Sequence, residues 1–157
     1  MTAVGHATTI GLDTEFVRVS TFHPKPGLIQ IAVDHDAFLI DPLADLDLKA
    51  LGHALSGTTV SILHAAQEDY EVLFRLTGSI PSPVFDTQVA YSLLNDKISL
   101  SLSGLVTELL GNELSKEQTR SDWTRRPLSE AQYRYAKEDV LVLGPIYEIL
   151  CRRLEQA

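Results

Sequence analysis

Two acidic residues two positions apart, Asp13 and Glu15, lie in an apolar segment near the start of the chain. The segment from Thr9 to Val17 is predicted to be a β-strand, in which residues i and i+2 point to the same face. Both carboxylates would then project together, where their repulsion favours a shared proton or a bound cation. Oxygen ligands of this kind suit Mg²⁺ or Mn²⁺. Two acids at this spacing are more often a solvated strand face, so the pair alone is weak support for a metal site.

Two further groups of polar residues lie on predicted helices. Glu68 and Asp69 stand at the start of a helix that follows a buried strand, where acidic side chains complement the helix dipole and need no ligand. Tyr135 and Asp139 are four residues apart on a later helix and therefore share a face. Tyr133 lies roughly 120° from that face and is predicted to be the core aromatic residue of this helix. Each group taken alone is typical of an ordinary helix surface.

Hydrophobic periodicity predicts the elements that must position these residues. Strands are predicted over residues 9–17, 28–33, 37–40, 59–63 and 84–85. Helices are predicted over residues 45–55, 67–77, 88–94 and 102–110. A capping box at 129–132 opens a last, long helix, which Gly144-Pro145 should kink or split. An antiparallel meander followed by β–α units and helices indicates an α/β fold with a mixed sheet covered by helices.

Length and composition indicate one globular domain. The chain has 157 residues, of which 45% are hydrophobic and 22% charged, and this balance excludes the disordered and collagen-like classes. No apolar run approaches the ~18 residues that cross a bilayer, and the first ten residues lack the pattern of a secretory signal, so no membrane partner is predicted. The single cysteine, Cys151, cannot form an internal disulfide, and a cytoplasmic location is predicted.

The charge of the chain is unevenly distributed. Thirteen Lys and Arg against twenty-one Asp and Glu give a net charge of −8, which at first argues against a nucleic-acid partner. Residues 116–137 nevertheless hold six basic and three acidic side chains, a local balance of +3, and phosphate contacts would concentrate there. Trp123 in this segment is interpreted either as a stacking surface for a base or as a loop anchor. Arg125 and Arg126 are candidate phosphate ligands, although Arg126 alternatively pairs with a structural acid.

Seven segments, in this order along residues 9–150, resemble the exonuclease domain of ribonuclease D. This family belongs to the DEDD superfamily of 3′-5′ exonucleases, in the subgroup with tyrosine in its last motif. The segments are Gly11-Leu-Asp-Thr-Glu-Phe-Val-Arg18, Gly27-Leu-Ile-Gln30, His64-Ala-Ala-Gln-Glu-Asp69, Phe85-Asp-Thr-Gln88, Ser121-Asp-Trp123, Arg126-Pro-Leu128 and Tyr135-Ala-Lys-Glu-Asp-Val140. The resemblance implies a ribonuclease-H-like fold: a five-stranded mixed sheet, its first three strands a meander, flanked by helices.

The resemblance also implies a site and an activity. Asp13, Glu15, Asp69 and Asp139 correspond to the metal-site carboxylates and Tyr135 to the catalytic tyrosine, with Glu68 as the rival of Asp69. The implied activity is that of a metal-dependent 3′-5′ exoribonuclease, which hydrolyses RNA 3′ ends to nucleoside 5′-monophosphates in RNA or tRNA processing or turnover. Two divalent ions, Mg²⁺ or Mn²⁺, would act together.

Each of these residues has an implied role in that mechanism. Asp13 would bridge the two ions, while Glu15 and Asp139 would hold the ion that activates water. Tyr135 would orient this water, and Asp69 would support the other ion.

Several features leave alternatives open. Phe16 is interpreted either as a residue that stacks on the terminal base or as core packing, and Gln30 and His64 match family positions with no role that the residues themselves indicate. The substrate is alternatively single-stranded DNA or short oligonucleotides, or the chain is a non-catalytic nucleic-acid-binding module. Ribonuclease D proteins commonly carry helical C-terminal domains, whereas residues 1–157 are predicted to be a single exonuclease domain, either complete or part of a longer chain. The oligomeric state is open.

Overall fold

The computed structural model describes residues 7–18, 22–95 and 99–157, and the described residues form five strands and six helices. The strands are β1 Thr9–Val17, β2 Lys25–Val33, β3 Asp36–Ile40, β4 Val60–Leu63 and β5 Val84–Asp86. The helices are α1 Lys49–Leu55, α2 Gln67–Thr77, α3 Thr87–Leu94, α4 Leu102–Leu110, α5 Glu130–Leu141 and α6 Leu143–Leu154. Within the described ranges, no helix has the length and apolar character that crossing a bilayer requires.

The five strands form one mixed sheet in the order β3-β2-β1-β4-β5. The first three strands pair antiparallel, and β4 and β5 continue the sheet in parallel with β1. Parallel pairing needs helical crossovers, which is why helices cover both faces of the sheet. The predicted meander and the predicted five-stranded mixed sheet are therefore confirmed, and β1 lies in the centre of the sheet.

Alternation along β1 assigns its side chains to two different layers. Ile10 and Leu12 are buried in the cluster that α1 and α2 cover. On the other face Gly11 faces α5 so closely that a Cβ atom there would lie 2.7 Å from the carbonyl oxygen of Val140. Only glycine permits this approach of strand and helix. The glycine thus brings α5 against the face of β1 on which the next odd-numbered residues lie.

Several predicted boundaries differ from the observed ones by one residue, and β2 begins at Lys25, three residues before its predicted start. Two differences on helices have local reasons. The helix predicted from residue 45 begins only at Lys49, because Asp41 and Asp47 accept hydrogen bonds from the backbone N–H groups two residues ahead of them. Such turns compete with helix formation. The predicted split of the last helix is confirmed, but it lies at Val142. Pro145 then falls in the first turn of α6, where its missing N–H costs no hydrogen bond.

Arg126 attaches the irregular segment 111–129 to the sheet. Its Nε and Nη2 atoms donate to the two carboxylate oxygens of Asp41 at 2.7 and 2.6 Å. The guanidinium group also donates to the carbonyl oxygens of Gly27 and Trp123 at 2.6 and 2.9 Å. A Cβ atom at Gly27 would lie 2.6 Å from Trp123, so glycine is required where the segment crosses β2. Of the two interpretations of Arg126, pairing with a structural acid is therefore the one that the structure supports. The Arg126 guanidinium group already donates to acceptors within the protein.

Replacement of Arg126 by Ala is expected to lower the free energy of unfolding by about 2–4 kcal/mol, because a charged pair and two partly buried carbonyl groups lose their partner. Arg126→Lys should recover little of this loss, since an ammonium group cannot bond both oxygens of Asp41 in the same plane. Urea unfolding followed by circular dichroism measures both variants. Arg125→Ala, which removes the exposed neighbouring guanidinium, should change stability by less than about 0.5 kcal/mol. Equal losses at positions 125 and 126 would contradict the anchoring role.

Candidate metal centre and active site

Three carboxylates meet between β1 and α5. Asp13 and Glu15 project from one face of β1, and Asp139 faces them from α5. One oxygen atom from each of the three lies within 4.8 Å of the other two. Asp139 is 8% exposed and the other two residues are half-buried. A set of oxygen ligands at this spacing can hold a hard divalent cation such as Mg²⁺ or Mn²⁺.

The pKa values of these carboxyl groups show that the site carries negative charges that repel one another and have no neutralising partner among the described side chains. Burial and the charges of the neighbouring acids raise the pKa of Asp13 well above its ordinary value. Burial, together with the charge of Asp139, raises the pKa of Glu15 to about 8. The pKa of Asp139 itself is raised to about 6, mainly by burial. Because ionised acids in this position repel one another, a bound cation would stabilise them, as is typical of a functional site.

Asp69 approaches this group from the other side of the sheet. It lies in the first turn of α2, is 7% exposed, and accepts a hydrogen bond of 2.5 Å from the Thr14 hydroxyl. Burial raises the pKa of Asp69 to about 6, and its charge contributes to the raised pKa of Asp13. Glu68, the rival residue, is exposed and lies 3.7 Å from the guanidinium of Arg18. The structure therefore places Asp69 next to the carboxylates and Glu68 in solvent.

Tyr135 joins the site through Asp139. The two residues line the same cavity, each contributes to the pKa shift of the other, and the Thr119 hydroxyl lies 3.3 Å from the tyrosine hydroxyl. Burial raises the pKa of Tyr135 above its ordinary value, so the phenol is protonated at neutral pH. The prediction that Tyr133 is the core aromatic residue is wrong, because Tyr133 is 39% exposed. Tyr135 instead packs beside Trp123, with ring centroids 6.0 Å apart.

The geometry agrees with comparisons with known proteins. A family model described as 3′-5′ exonuclease matches residues 1–155. The chain belongs to this 3′-5′ exonuclease family. Ribonuclease D of Pseudomonas paraeruginosa is 47% identical over 148 residues, which are 94% of this chain and 39% of that protein. Ribonuclease D of Xanthomonas oryzae is 43% identical over 94% of this chain and 41% of its own length. The chain therefore spans about two fifths of the length of these relatives.

Solved structures show the same fold. Escherichia coli RNase D, described as an exoribonuclease involved in structured RNA processing, superimposes with a TM-score of 0.94 at 38% identity. The match covers 99% of this chain and 42% of that one. Brucella melitensis NrnC with bound Mg²⁺ has a TM-score of 0.83 at 29% identity, covering 96% of this chain and 75% of that one. The ribonuclease-H-like fold and the resemblance to the ribonuclease D exonuclease domain are thus confirmed.

Of three further predicted site residues, all within the described ranges, only Gln30 has a hydrogen-bond contact with one of the carboxylates. Gln30 is fully buried on β2, and its Nε2 atom lies 3.4 Å from Asp13 Oδ2. His64 Nδ1 lies 2.9 Å from the hydroxyl of Thr87, and burial lowers the pKa of this histidine. Phe16 is half-buried beside a β-bulge of β1 and β2. Contact of these three residues with substrate stays a prediction.

The segment of residues 116–137, which is rich in basic side chains, offers fewer residues for substrate contact than its composition indicates. Trp123 is 1% exposed and packs against Leu28, Leu128 and Ala136. Its interpretation as a stacking surface is wrong for this structure, because neither face of the ring is open to a base, and the loop-anchor alternative holds. Arg126 is engaged with Asp41 as described above. Arg125 is exposed, so it stays a candidate for phosphate contact.

A groove that the sequence did not predict lies beside the carboxylates. Two adjoining cavities of 310 and 290 Å³ open between the start of α4 and residues 113–119, and they share Ser103, Leu114 and Lys116. Tyr135 and Asp139 line the first cavity. The lining of this α4 groove is rich in hydroxyl groups, from Ser101, Ser103, Thr107, Ser115 and Thr119. The residues that line the groove come from 101–107, from 113–119 and from α5, and only the fold brings these three stretches together.

Proposed function

We propose that this exonuclease chain is a metal-dependent 3′-5′ exoribonuclease domain that hydrolyses RNA 3′ ends to nucleoside 5′-monophosphates. The observation that carries the proposal is the group formed by Asp13, Glu15 and Asp139, with Asp69 and the Tyr135 hydroxyl beside it. The relatives named ribonuclease D support RNA as the substrate class. RNA or tRNA 3′-end processing or turnover is the corresponding cellular role. The predicted cytoplasmic location and single-domain organisation remain predictions.

Two divalent cations, Mg²⁺ or Mn²⁺, are the proposed cofactors, held by Asp13, Glu15, Asp69 and Asp139. The donor set fits such ions because it consists of carboxylate oxygens whose pKa values are raised by burial and mutual repulsion. NrnC of Brucella melitensis, which has the same fold, was solved with bound Mg²⁺. When bound, the cations supply positive charge that stabilises the charge developing on the scissile phosphate.

Tyr135 and Asp139 are proposed to orient the attacking water. The raised pKa of Tyr135 keeps its hydroxyl protonated, so it serves as a hydrogen-bonding group and not as a base. The water oxygen forms a bond to phosphorus as the bond from phosphorus to the 3′ oxygen of the penultimate nucleotide breaks. The products are a nucleoside 5′-monophosphate and a strand shortened by one nucleotide with a new 3′-hydroxyl group.

The α4 groove is the proposed path of the strand leaving the metal centre. It begins at Tyr135 and Asp139, continues past Ser103 and Lys116, which line both cavities, and ends at Thr107 and Glu113. Each cavity has about the smallest volume, ~300 Å³, that is usual for a small-molecule site. Hydroxyl groups and an ammonium group are suitable donors for phosphate oxygens. A single strand is the proposed substrate form.

A time course on oligonucleotides tests the proposed function. Purified protein is incubated with RNA or DNA oligomers that end in a 3′-hydroxyl or a 3′-phosphate, with Mg²⁺, Mn²⁺ or EDTA, and the products are resolved on a gel. The expected result is stepwise release of nucleoside 5′-monophosphates from 3′-hydroxyl RNA with metal only. Full activity in EDTA would contradict the proposal. Faster hydrolysis of DNA would favour the DNA alternative, and RNA binding without turnover would favour a binding module.

Replacing Lys116 by Ala is expected to raise KM for single-stranded RNA about three- to tenfold with little change in kcat, because the lost contact is to a phosphate away from the scissile bond. The plot of log binding constant against log salt concentration should lose about one unit of slope. Fluorescence anisotropy with Ca²⁺ in place of Mg²⁺ measures binding without turnover. Lys49→Ala removes an equal charge from α1 and should leave KM unchanged. Equal effects at both positions would contradict a specific phosphate contact of Lys116, because they would show that Lys116 acts only through the net charge of the protein.

A further inference from the structure

Thr14 stands between the two acidic residues of β1, yet its side chain belongs to the other layer of the fold. Asp13 and Glu15 lie on the α5 face, whereas Ile10 and Leu12, in alternating register with them, pack against α1 and α2. Thr14 continues this second row and is 5% exposed. A threonine in such a row is unexpected, because a buried hydroxyl group must find a partner.

The partner of this hydroxyl is the carboxylate of Asp69. Thr14 Oγ1 donates to Asp69 Oδ1 at 2.5 Å, and both residues are buried. A threonine hydroxyl has a single proton, so this bond commits it to the carboxylate. Hydrogen bonds from a hydroxyl to an ionised carboxylate are about 2.5–2.7 Å long and roughly twice as strong as neutral ones. The bond therefore fixes the orientation of the Asp69 carboxylate.

Asp69 differs from the other three carboxylates in needing such a constraint. Asp13, Glu15 and Asp139 have oxygen atoms within 4.8 Å of one another, and among the described residues Asp69 is not a member of that group. It comes from α2, which covers the sheet face opposite to α5. Its position relative to the other acids thus depends on how α2 and β1 are joined, and Thr14 makes that connection at the carboxylate itself.

We propose that Thr14 is a positioning residue, whose hydroxyl group holds the Asp69 carboxylate where it completes the binding site of the second divalent cation. This inference rests on the proposed function, because it concerns the same metal centre. Groups that orient a metal ligand without touching the metal commonly change metal affinity about 10- to 100-fold when they are removed. A purely structural role of the Thr14 hydroxyl would instead lower stability and leave metal affinity unchanged.

Three substitutions separate these roles. Thr14→Val removes the hydroxyl and keeps a β-branched side chain of similar shape, and Thr14→Ser keeps the hydroxyl and removes the methyl group. Thr77→Val is the matched control, because Thr77 is another 5% exposed threonine, whose hydroxyl has hydrogen-bond contacts only with the carbonyl oxygens of Leu73 and Ser79 and the backbone N–H of Ser79 among the described residues. It removes a buried hydroxyl from the same layer without touching Asp69.

Mn²⁺ binding is measured by isothermal titration calorimetry and by electron paramagnetic resonance of the free ion. The wild type is expected to bind two ions, and Thr14→Val should weaken the weaker site about 10- to 100-fold while the tighter site is unchanged. Thr14→Ser and Thr77→Val should retain both sites. In RNA hydrolysis Thr14→Val should lower kcat at limiting Mn²⁺ and leave KM for RNA unchanged, with recovery at higher Mn²⁺.

The outcomes distinguish the inference from the proposed function. If the wild type binds no Mn²⁺ and hydrolyses no RNA, the proposed function fails. If the wild type binds two ions and Thr14→Val binds both with unchanged affinity, only the positioning role of Thr14 is overturned. Loss of the weaker site in folded Thr14→Ser would overturn it as well, because that variant retains the hydroxyl. The result for Thr14→Ser therefore tests the positioning role of Thr14 even if Thr14→Val does not fold.

Discussion

Asp13→Asn is expected to reduce RNA hydrolysis by about 10³-fold or more and, in EDTA, to stabilise the protein. The loss of activity follows because the central carboxylate of the proposed metal centre is removed, and bound cations contribute several kcal/mol to such reactions. The gain in stability follows because Asp13 is buried among Glu15, Asp69 and Asp139, whose charges raise its pKa. Removing one repelling charge at pH 8 should add about 1 kcal/mol or more, or about 2–4 °C in Tm.

Single-turnover kinetics and thermal unfolding in EDTA measure the two effects on one preparation. Glu68→Gln is the matched control, since Glu68 is the neighbouring acid of the second motif and is exposed beside Arg18. It should change neither the rate nor Tm appreciably. Full activity of Asp13→Asn would contradict the assigned site. A large fall in Tm in the Asn variant would contradict the electrostatic account, because Asp13 would then stabilise the metal-free fold.

The metal-free protein is expected to lose stability as the pH rises from about 4 to about 8. The pKa values of Glu15, Asp69 and Asp139 in the folded protein are about 8, 6 and 6, above their ordinary values. Over this range these three carboxyl groups bind more protons in the folded protein than in the unfolded chain, so their contribution makes the free energy of unfolding fall with increasing pH. This contribution outweighs the opposite contribution of His64, whose pKa is lowered. For Asp139 alone, the rise in pKa from 3.8 to about 6 corresponds to about 3 kcal/mol.

Urea unfolding at a series of pH values, in EDTA and with Mn²⁺, tests this linkage. Mn²⁺ should restore stability most strongly near pH 8, because the cation competes with protons for the same oxygens. An ion present at one hundred times its dissociation constant adds about 2.7 kcal/mol. Asp139→Asn should flatten the pH dependence in EDTA, whereas Glu68→Gln should not. Stability that rises with pH in EDTA would contradict the raised pKa values.

Elements with local signals were predicted closely. The bounds of β1, α2 and α4 agree with the structure at both ends. Gly78 caps the C-terminus of α2 and Gly111 that of α4, with positive φ angles of 78° and 69° that favour glycine. The capping box at Ser129 and Gln132 likewise begins α5 as predicted. These signals depend on neighbours within a few residues, so they can be read without the fold.

Residues whose surroundings come from distant segments were predicted less well. Trp123 lies in a polar stretch of sequence, but it is buried because Gly27 on β2 leaves room for it. The exposure of Tyr133 and the packing of Tyr135 depend on which side of α5 meets the sheet. Ser103 and Lys116 line one groove although they are 13 positions apart in the chain. Packing between elements decided each of these positions.

The sequence by itself determined the types and order of the site residues, since seven segments matched one family and alternation on β1 placed Asp13 and Glu15 together. Tertiary structure alone decided how the acids of the second and third motifs reach them. Asp139 arrives because Gly11 allows α5 to touch β1, and Asp69 arrives from the opposite layer, tied to Thr14. The physical reason is that a distance between elements depends on side-chain volume and hydrogen bonds across their interface, whereas periodicity along the chain reports only which face a residue occupies.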